Sequence, residues 1–181
     1  MLADILIKIA DVVLTLFIYL VLARVLLQLC KADRYNPIAQ SVVRFTDPFL
    51  GPLRKIAPKS VRWDIAGVVV LVALAVLRAL VGSGFMLAGV GIGALLLYAV
   101  VGLVVTVIDL YLLLILVMVV LSFVAPGSYH PGAVLVRQLT DPLLAPIQRL
   151  LPSMGGIDLS PLIAGTTLYI FRDIVLPNLL T

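Results

Sequence analysis

The chain has 181 residues, of which 63% are hydrophobic and 12% charged, with a mean hydropathy of +1.24 and a formal net charge of +4. Soluble globular domains use about 45–50% apolar residues, so this composition excludes a water-soluble fold and indicates an all-α integral membrane protein. The pI near 9.5 fits a basic face against anionic lipid headgroups, and we expect no nucleic acid partner.

Charge-poor segments predict four transmembrane helices along the chain. Each is close to the roughly 20 residues needed to cross a hydrocarbon layer about 30 Å thick. The predicted spans are residues 5–29, 65–81, 98–125 and 159–176. The N-terminus lacks the basic leader and small-residue cleavage site of a secretory signal, so we expect the first helix to remain as an anchor.

The sequence repeats itself at a constant offset of 94 residues. The paired motifs and residues are Tyr35-Asn36-Pro37 and Tyr129-His130-Pro131, Thr46-Asp47-Pro48 and Thr140-Asp141-Pro142, Pro52 and Pro146, Pro58 and Pro152, Asp64 and Asp158, and Arg78 and Arg172. Such repetition indicates two copies of one structural unit. We therefore predict a first repeat at 5–81, a second at 98–177, and a glycine-rich insert at 82–97.

The insert between the repeats has two interpretations. About 13 apolar residues are too few to cross a membrane, which favours an interfacial or re-entrant helix. Alternatively, the insert lengthens a neighbouring span, and its glycines allow close helix packing. We prefer the interfacial helix.

Two spans in each repeat predict that both copies have the same orientation, related by an axis along the membrane normal. The loop at 30–63 is rich in lysine and arginine, and short loops of this kind stay in the cytoplasm. We therefore expect both motif loops to be cytoplasmic and both termini to lie outside.

Each motif loop carries two helix-start signals, an Asn-Pro or His-Pro pair and then Thr-Asp-Pro. The apolar residues after each signal recur at helical spacing, which predicts amphipathic helices lying in the membrane surface. Pro52 and Pro146 fall one turn after Pro48 and Pro142, so we expect the second segment of each loop to be bent or broken. Arg54, Lys55 and Arg149 would then lie beside lipid headgroups.

Four repeated aspartates, Asp47, Asp64, Asp141 and Asp158, occupy matched positions. We interpret them as helix caps; the alternative is that they gather around a cation. Asp109 and Arg172 lie at matched depth on consecutive spans and are predicted to form an intramembrane ion pair. Arg78 lies at the equivalent depth in the first repeat, with Asp4 and Asp11 as candidate partners.

The reactive side chains exclude most catalytic sites. The chain has one His, one Cys and no Glu, so it cannot build a paired-Glu or zinc-cluster site. His130 occupies the position of Asn36, which favours a capping role over metal or haem binding. We predict no catalytic residue, no metal site and no cofactor.

The paired motifs, with Thr46-Asp-Pro-Phe-Leu-Gly-Pro-Leu-Arg and Gly156-Ile-Asp-Leu-Ser-Pro, resemble the YggT (YlmG) family of small membrane proteins. The resemblance implies a location in the inner (plasma) membrane of a bacterium, and a link with osmotic stress and potassium homeostasis or with cell division and nucleoid distribution. For plastid relatives it implies assembly of a cytochrome haem. No catalytic residues are implied.

We therefore expect a non-catalytic factor that assembles or organises membrane components, whose motif loops bind lipid headgroups, a membrane-protein partner or another copy of the chain. The alternative is a pathway for a small solute or ion between the repeats. A pathway needs polar residues through the full depth, whereas residues 65–77 contain none. That absence favours the organising factor.

Overall fold

A computed structural model of the chain describes residues 2–55, 64–83, 86–89, 91–150 and 158–176. The regular structure of these residues is helical throughout. Within them, six α-helices follow in the order α1 (Leu2–Leu29), α2 (Pro37–Arg54), α3 (Ile65–Gly82), α4 (Ile92–Val124), α5 (Pro131–Leu150) and α6 (Ser160–Ile170). A 3₁₀ turn at Met86–Gly89 precedes α4, and a π-helical turn at Phe171–Val175 continues α6.

Three of these helices, α1, α3 and α4, are long and apolar enough to cross a membrane. They coincide with the first three predicted spans, and they identify the chain as a membrane protein. The fourth predicted span is helical over the described part of its length, first as α6 and then as the π-helical turn.

For residues 92–97 of the glycine-rich insert, the interfacial helix that we preferred is wrong. These residues are the first turns of α4, as the alternative interpretation had it. Ala94 and the three leucines after it are strong helix formers, and extending an existing helix is easier than nucleating a new one. The 33 residues of α4 are about 50 Å long, well beyond a single hydrocarbon layer.

One compact unit contains Met1–Leu29 and Ser41–Thr106. In this unit α1 packs along α3. Gly67 lies at the crossing, where an added Cβ atom would come within 2.6 Å of the Val25 side chain. Only glycine allows the two helices to approach so closely, which brings the start of α3 next to the last turns of α1.

The other compact unit contains Cys30–Gln40 and Val107–Thr181. Its core is formed by Ile115, Leu144 and Ala164, one from each of α4, α5 and α6. The segment that leads into α2 also packs here, because the Asn36 side-chain amide donates to the carbonyl of Pro131 at 2.8 Å. The boundaries of the compact units therefore differ from those of the sequence repeats. Residues 30–40 of the first repeat belong to the second unit, and residues 98–106 of the second repeat belong to the first unit.

The predicted break inside each motif loop is wrong. α2 runs without interruption through Pro48 and Pro52, and α5 through Pro142 and Pro146. An interior proline costs a helix about 3 kcal/mol, so other interactions must hold these turns together. Tertiary burial supplies them, since Leu50 in α2 and Leu144 in α5 are almost completely inaccessible.

Candidate functional site

The two motif helices begin as predicted, with a side-chain cap and a proline in the first turn. Asn36 Oδ1 accepts a hydrogen bond from the N–H of Ile38 at 2.9 Å. His130 Nδ1 accepts the equivalent bond from Gly132 at 3.2 Å. The capping role of His130 is confirmed, because its Nδ1 accepts from a backbone N–H in the first turn of α5.

The strongest polar cluster of the described residues surrounds Arg24 of α1. Its Nη1 donates to Thr46 Oγ1 at 2.5 Å and to the carbonyl of Val43 at 2.9 Å. Its Nη2 donates to Asp47 Oδ1 at 2.6 Å. Arg24 is only 3% exposed, so these bonds fix the middle of α2 against the last turns of α1.

The start of α3 joins the same cluster. Asp64 Oδ2 lies 3.8 Å from Arg24 Nε and pairs closely with Arg54 Nη2. Asp64 also caps α3, since its Oδ1 accepts from the N–H of Gly67 at 3.2 Å. We call Arg24, Thr46, Asp47, Arg54 and Asp64 the arginine network; it holds two positive and two negative charges and ties three helices together.

One sequence interpretation needs correction at this network. Asp47 does not cap a second helix, because α2 is continuous and the Asp47 carboxylate pairs with Arg24 instead. The Arg54 guanidinium pairs with Asp64 and lies 4.0 Å from Asp47, and its location beside lipid headgroups stays a prediction. The predicted cap at Asp64 is confirmed.

The second repeat builds the equivalent contacts without an arginine. Met118 stands at the position of Arg24, and its Sδ lies 3.3 Å from Thr140 Oγ1. Gln148 stands at the position of Arg54 and donates to Asp158 Oδ2 at 2.8 Å. Asp158 also accepts from the N–H of Ser160 at 2.9 Å, near the start of α6. Asp141 lies inside α5, so its predicted capping role is wrong as well.

The pKa of Asp158 is lower than its usual value. Partial burial alone would raise the pKa, but hydrogen bonds from the Ser160 backbone and side chain and from Gln148 together outweigh that effect. Asp158 is therefore negatively charged at neutral pH.

The alternative that the four aspartates gather around a cation is not supported. Asp47 and Asp64 do converge, but on the guanidinium groups of Arg24 and Arg54. Among the described residues, no three His, Cys, Asp or Glu side chains form a group that could hold a metal ion.

Each repeat also carries an ion pair between apolar helices. The predicted pair is present, with Arg172 Nε 2.6 Å from Asp109 Oδ1, and Asp173 lies 2.8 Å from Arg172 Nη1. Arg78 Nε pairs with Asp11 Oδ1 at 3.1 Å, and its Nη1 lies 3.5 Å from Thr106 Oγ1. The four side chains of these two pairs are half-buried.

Sequence reasoning missed Arg24, although a signal was available. It is the first charge after the charge-free run 12–23, and a charge near the end of a span is usually paired or functional. Tyr35 and Tyr129, the predicted motif aromatics, are 88% and 94% exposed. Lys55 and Arg149 are exposed at the ends of α2 and α5. Pro58 and Pro152, with Lys59 and Arg62, lie outside the described residues.

Known proteins share the sequence of this chain over both repeats. The CCB3/YggT family matches the chain twice, at residues 3–85 and 97–179. The chain is 40% identical over 167 residues to an uncharacterized protein of Pseudomonas aeruginosa, covering 91% of this chain and 85% of that protein. It is 39% identical over 163 residues to uncharacterized protein YggT of Escherichia coli K12, covering 88% and 83%.

A more distant relative from Haemophilus influenzae is 31% identical over 153 residues, covering 84% of this chain and 81% of the relative. No solved structure matches the chain significantly. The double family match and these relatives extend over both repeats. The chain belongs to the CCB3/YggT family.

Proposed function

We propose that the protein is a non-catalytic factor of the bacterial inner membrane that assembles or organises membrane components through its motif helices. The observation that carries the proposal is the arginine network. It fixes the amphipathic helix α2 to the ends of α1 and α3, so that α2 keeps a defined position with part of its apolar surface exposed. A fixed, partly uncovered amphipathic helix is suited to binding rather than to chemistry.

The proposed topology has four spans, two in each repeat, with both motif loops in the cytoplasm and both termini outside. The helical segment from Ser160 to Leu176 supports a fourth span, since its 17 residues are about 25 Å long. The basic character of the loop at 30–63 supports the cytoplasmic location.

Matched cysteines test this topology. On a Cys30→Ser background, Tyr35→Cys and Tyr129→Cys place one thiol at the same exposed position of each motif loop. Both should resist an impermeant thiol reagent in intact cells and react after permeabilisation. Met86→Cys, between the repeats, should react without permeabilisation. Labelling of Tyr35→Cys and Tyr129→Cys from opposite sides would disprove parallel repeats.

The second candidate function is a pathway for a small solute or ion. It is favoured by the ion pairs Asp11–Arg78 and Asp109–Arg172, because charges within apolar helices often belong to transport routes. The two functions predict different sensitive residues.

Complementation of a strain that lacks the gene separates the two candidates. An organising factor should lose function when the exposed charges of α2 are reversed by Arg44→Glu with Lys55→Glu, while the level of protein in the membrane stays normal. A pathway should tolerate these changes and lose function with Asp109→Asn or Arg172→Gln. Full activity of the charge-reversed variant would place the solute pathway ahead.

A further inference from the structure

The outer side of α2 exposes an apolar stripe. Phe45, Phe49 and Leu53 follow one another at intervals of four residues and therefore lie on one side of the helix. Phe45 is 68% exposed and Phe49 57%. Thr46 and Leu50 lie on the neighbouring side and are buried against the protein. We call Phe45, Phe49 and Leu53 the aromatic stripe.

One ring of the aromatic stripe contacts the middle part of α1. The Phe49 ring lies against Phe17 of α1 in an edge-on arrangement, with ring centroids 4.7 Å apart. Phe17 precedes Arg24 by seven residues, about 10 Å along the helix. Phe49 therefore lies beside a more central part of α1 than Arg24 does, on a helix apolar enough to cross a membrane, and this location favours acyl chains as the neighbours of the stripe.

The charges of α2 lie apart from this stripe. Arg44 and Lys55 are exposed and eleven residues apart, which places them three turns from each other on a common side. Asp47 is the acidic residue of α2, and its carboxylate pairs with Arg24 of the arginine network. Arg44 and Lys55 therefore form a basic side of the helix. An apolar side next to a basic side matches an anionic headgroup and its acyl chains.

The second motif helix buries the residues that match the stripe, and its segment carries a lower net charge. The positions 94 residues later are Leu139, Leu143 and Ile147, and they are buried or half-buried in place of the exposed rings. The segment 30–55 carries five basic and two acidic residues, a net charge of +3. The corresponding segment 124–149 carries two basic and one acidic, a net charge of +1.

We infer that the outer side of α2, made of the aromatic stripe with Arg44 and Lys55, binds an anionic phospholipid, and that α5 does not. This inference rests on the proposed function, because it names the lipid class that the motif helix recognises. The apolar rings would insert among acyl chains while Arg44 and Lys55 contact the phosphate.

Lipid retention by the purified full-length protein tests the site. Phosphatidylglycerol and phosphatidylcholine with identical chains are titrated separately into the protein in mild detergent, and bound lipid is counted by native mass spectrometry. The wild type should prefer phosphatidylglycerol. Arg44→Gln with Lys55→Gln should weaken that binding by about tenfold, since each basic residue near an anionic headgroup strengthens binding.

The matched control is Arg137→Gln with Arg149→Gln, which removes the same charge from α5 and should leave lipid binding unchanged. Phe45→Ala should weaken binding of both lipids, because it removes the inserted ring and no charge. Equal binding of the two lipids by the wild type, or an equal loss in both charge variants, would overturn the inference. Capture of an acidic protein by α2 instead of lipid would also overturn it.

Complementation with the same variants separates this inference from the proposed function. If Arg44→Gln with Lys55→Gln abolishes phosphatidylglycerol binding and the cells still grow as wild type, the lipid site stands and the organising function through α2 fails. If lipid binding is unchanged while complementation is lost, the lipid site fails and the organising function stands.

Discussion

The two repeats attach their motif helices by different chemistry at the same positions. The first repeat uses Arg24, a buried guanidinium that bonds Thr46 and Asp47 of α2. The second repeat uses Met118, whose Sδ accepts a hydrogen bond from Thr140 of α5 and whose side chain packs against the core that contains Leu144. An ion network fixes geometry through directed bonds, whereas a thioether adapts its shape to the core around it.

The two motif helices also differ in how much of their apolar surface is buried. α5 contributes Leu144 to an apolar core with α4 and α6, and its neighbours Leu143 and Ile147 pack against that core. α2 leaves Phe45 and Phe49 exposed. The comparison teaches that the threonine, the aspartate and the prolines of the motif are compatible with either attachment. The residue that selects the attachment lies outside the motif, on the preceding membrane helix.

The largest effect is expected from Arg24→Met, which installs the residue of the second repeat. Asp64, with a side chain 4% exposed, and Asp47 would lose the buried one of the two cations that they share, and removing one partner from a buried ion cluster costs about 3–5 kcal/mol. Thermal unfolding in detergent should show a marked drop in Tm. The matched control is Met118→Leu, which conserves volume and should cost less than about 1.5 kcal/mol. Equal Tm values for the two variants would show that Arg24 does not hold α2 in place.

A second expected effect compares the two intramembrane pairs. Asp11→Asn leaves Arg78 with only the long contact to Thr106, whereas Asp109→Asn leaves Arg172 paired with Asp173. Asp11→Asn should therefore destabilise the protein more, by about 2–3 kcal/mol against about 1 kcal/mol, as expected for an uncompensated charge in a span.

Double-mutant cycles with Arg78→Gln and Arg172→Gln measure the same comparison. Tm values should show coupling in both cycles, of about 0.5–3 kcal/mol. Additive effects in the Asp109 and Arg172 cycle would mean that this pair contributes nothing to stability, and a costlier Asp109→Asn would contradict the role given to Asp173.

The residues that sequence could predict are those whose role is local. The caps at Asn36, His130 and Asp64 follow from residue type and the first turn of a helix, and the Asp109–Arg172 pair follows from depth along two straight helices. The three long spans follow from hydropathy. Each of these needs only neighbours in sequence or a count of helical turns.

The roles that sequence could not predict depend on tertiary contacts. Pro48 and Pro52 read as helix breakers because the burial of Leu50 and the bonds of Thr46 to Arg24 are invisible in the local pattern. Asp47 reads as a cap for the same reason. Residues 92–97 were predicted to be separate from the third span because the repeat offset starts that span at residue 98. The helix itself begins earlier, at Ile92.

A smaller effect is expected when the residue that pairs with Asp64 in the first repeat is exchanged for its neutral equivalent in the second. Arg54→Gln gives the first repeat the glutamine that bonds Asp158 in the second. Asp64 would keep its bonds to Gly67 and its contact with Arg24, so the cost should be only about 1 kcal/mol. The reciprocal Gln148→Arg should change stability by less than about 0.5 kcal/mol, since the pair it creates with Asp158 is exposed. A larger loss from Gln148→Arg than from Arg54→Gln in Tm measurements would reverse this ranking.

The last comparison concerns the helix caps, which both repeats place at the same position before a proline. Asn36→Ala should cost about 1–2 kcal/mol, because it removes the cap of α2 and also the bond to the carbonyl of Pro131. His130→Ala removes an exposed cap alone and should cost about 0.5–1 kcal/mol. His130→Asn retains an acceptor at the same position and should be nearly neutral in Tm. A loss from His130→Asn as large as that from His130→Ala would show that the imidazole has a role beyond capping. Asn36 and His130 would then not be equivalent caps.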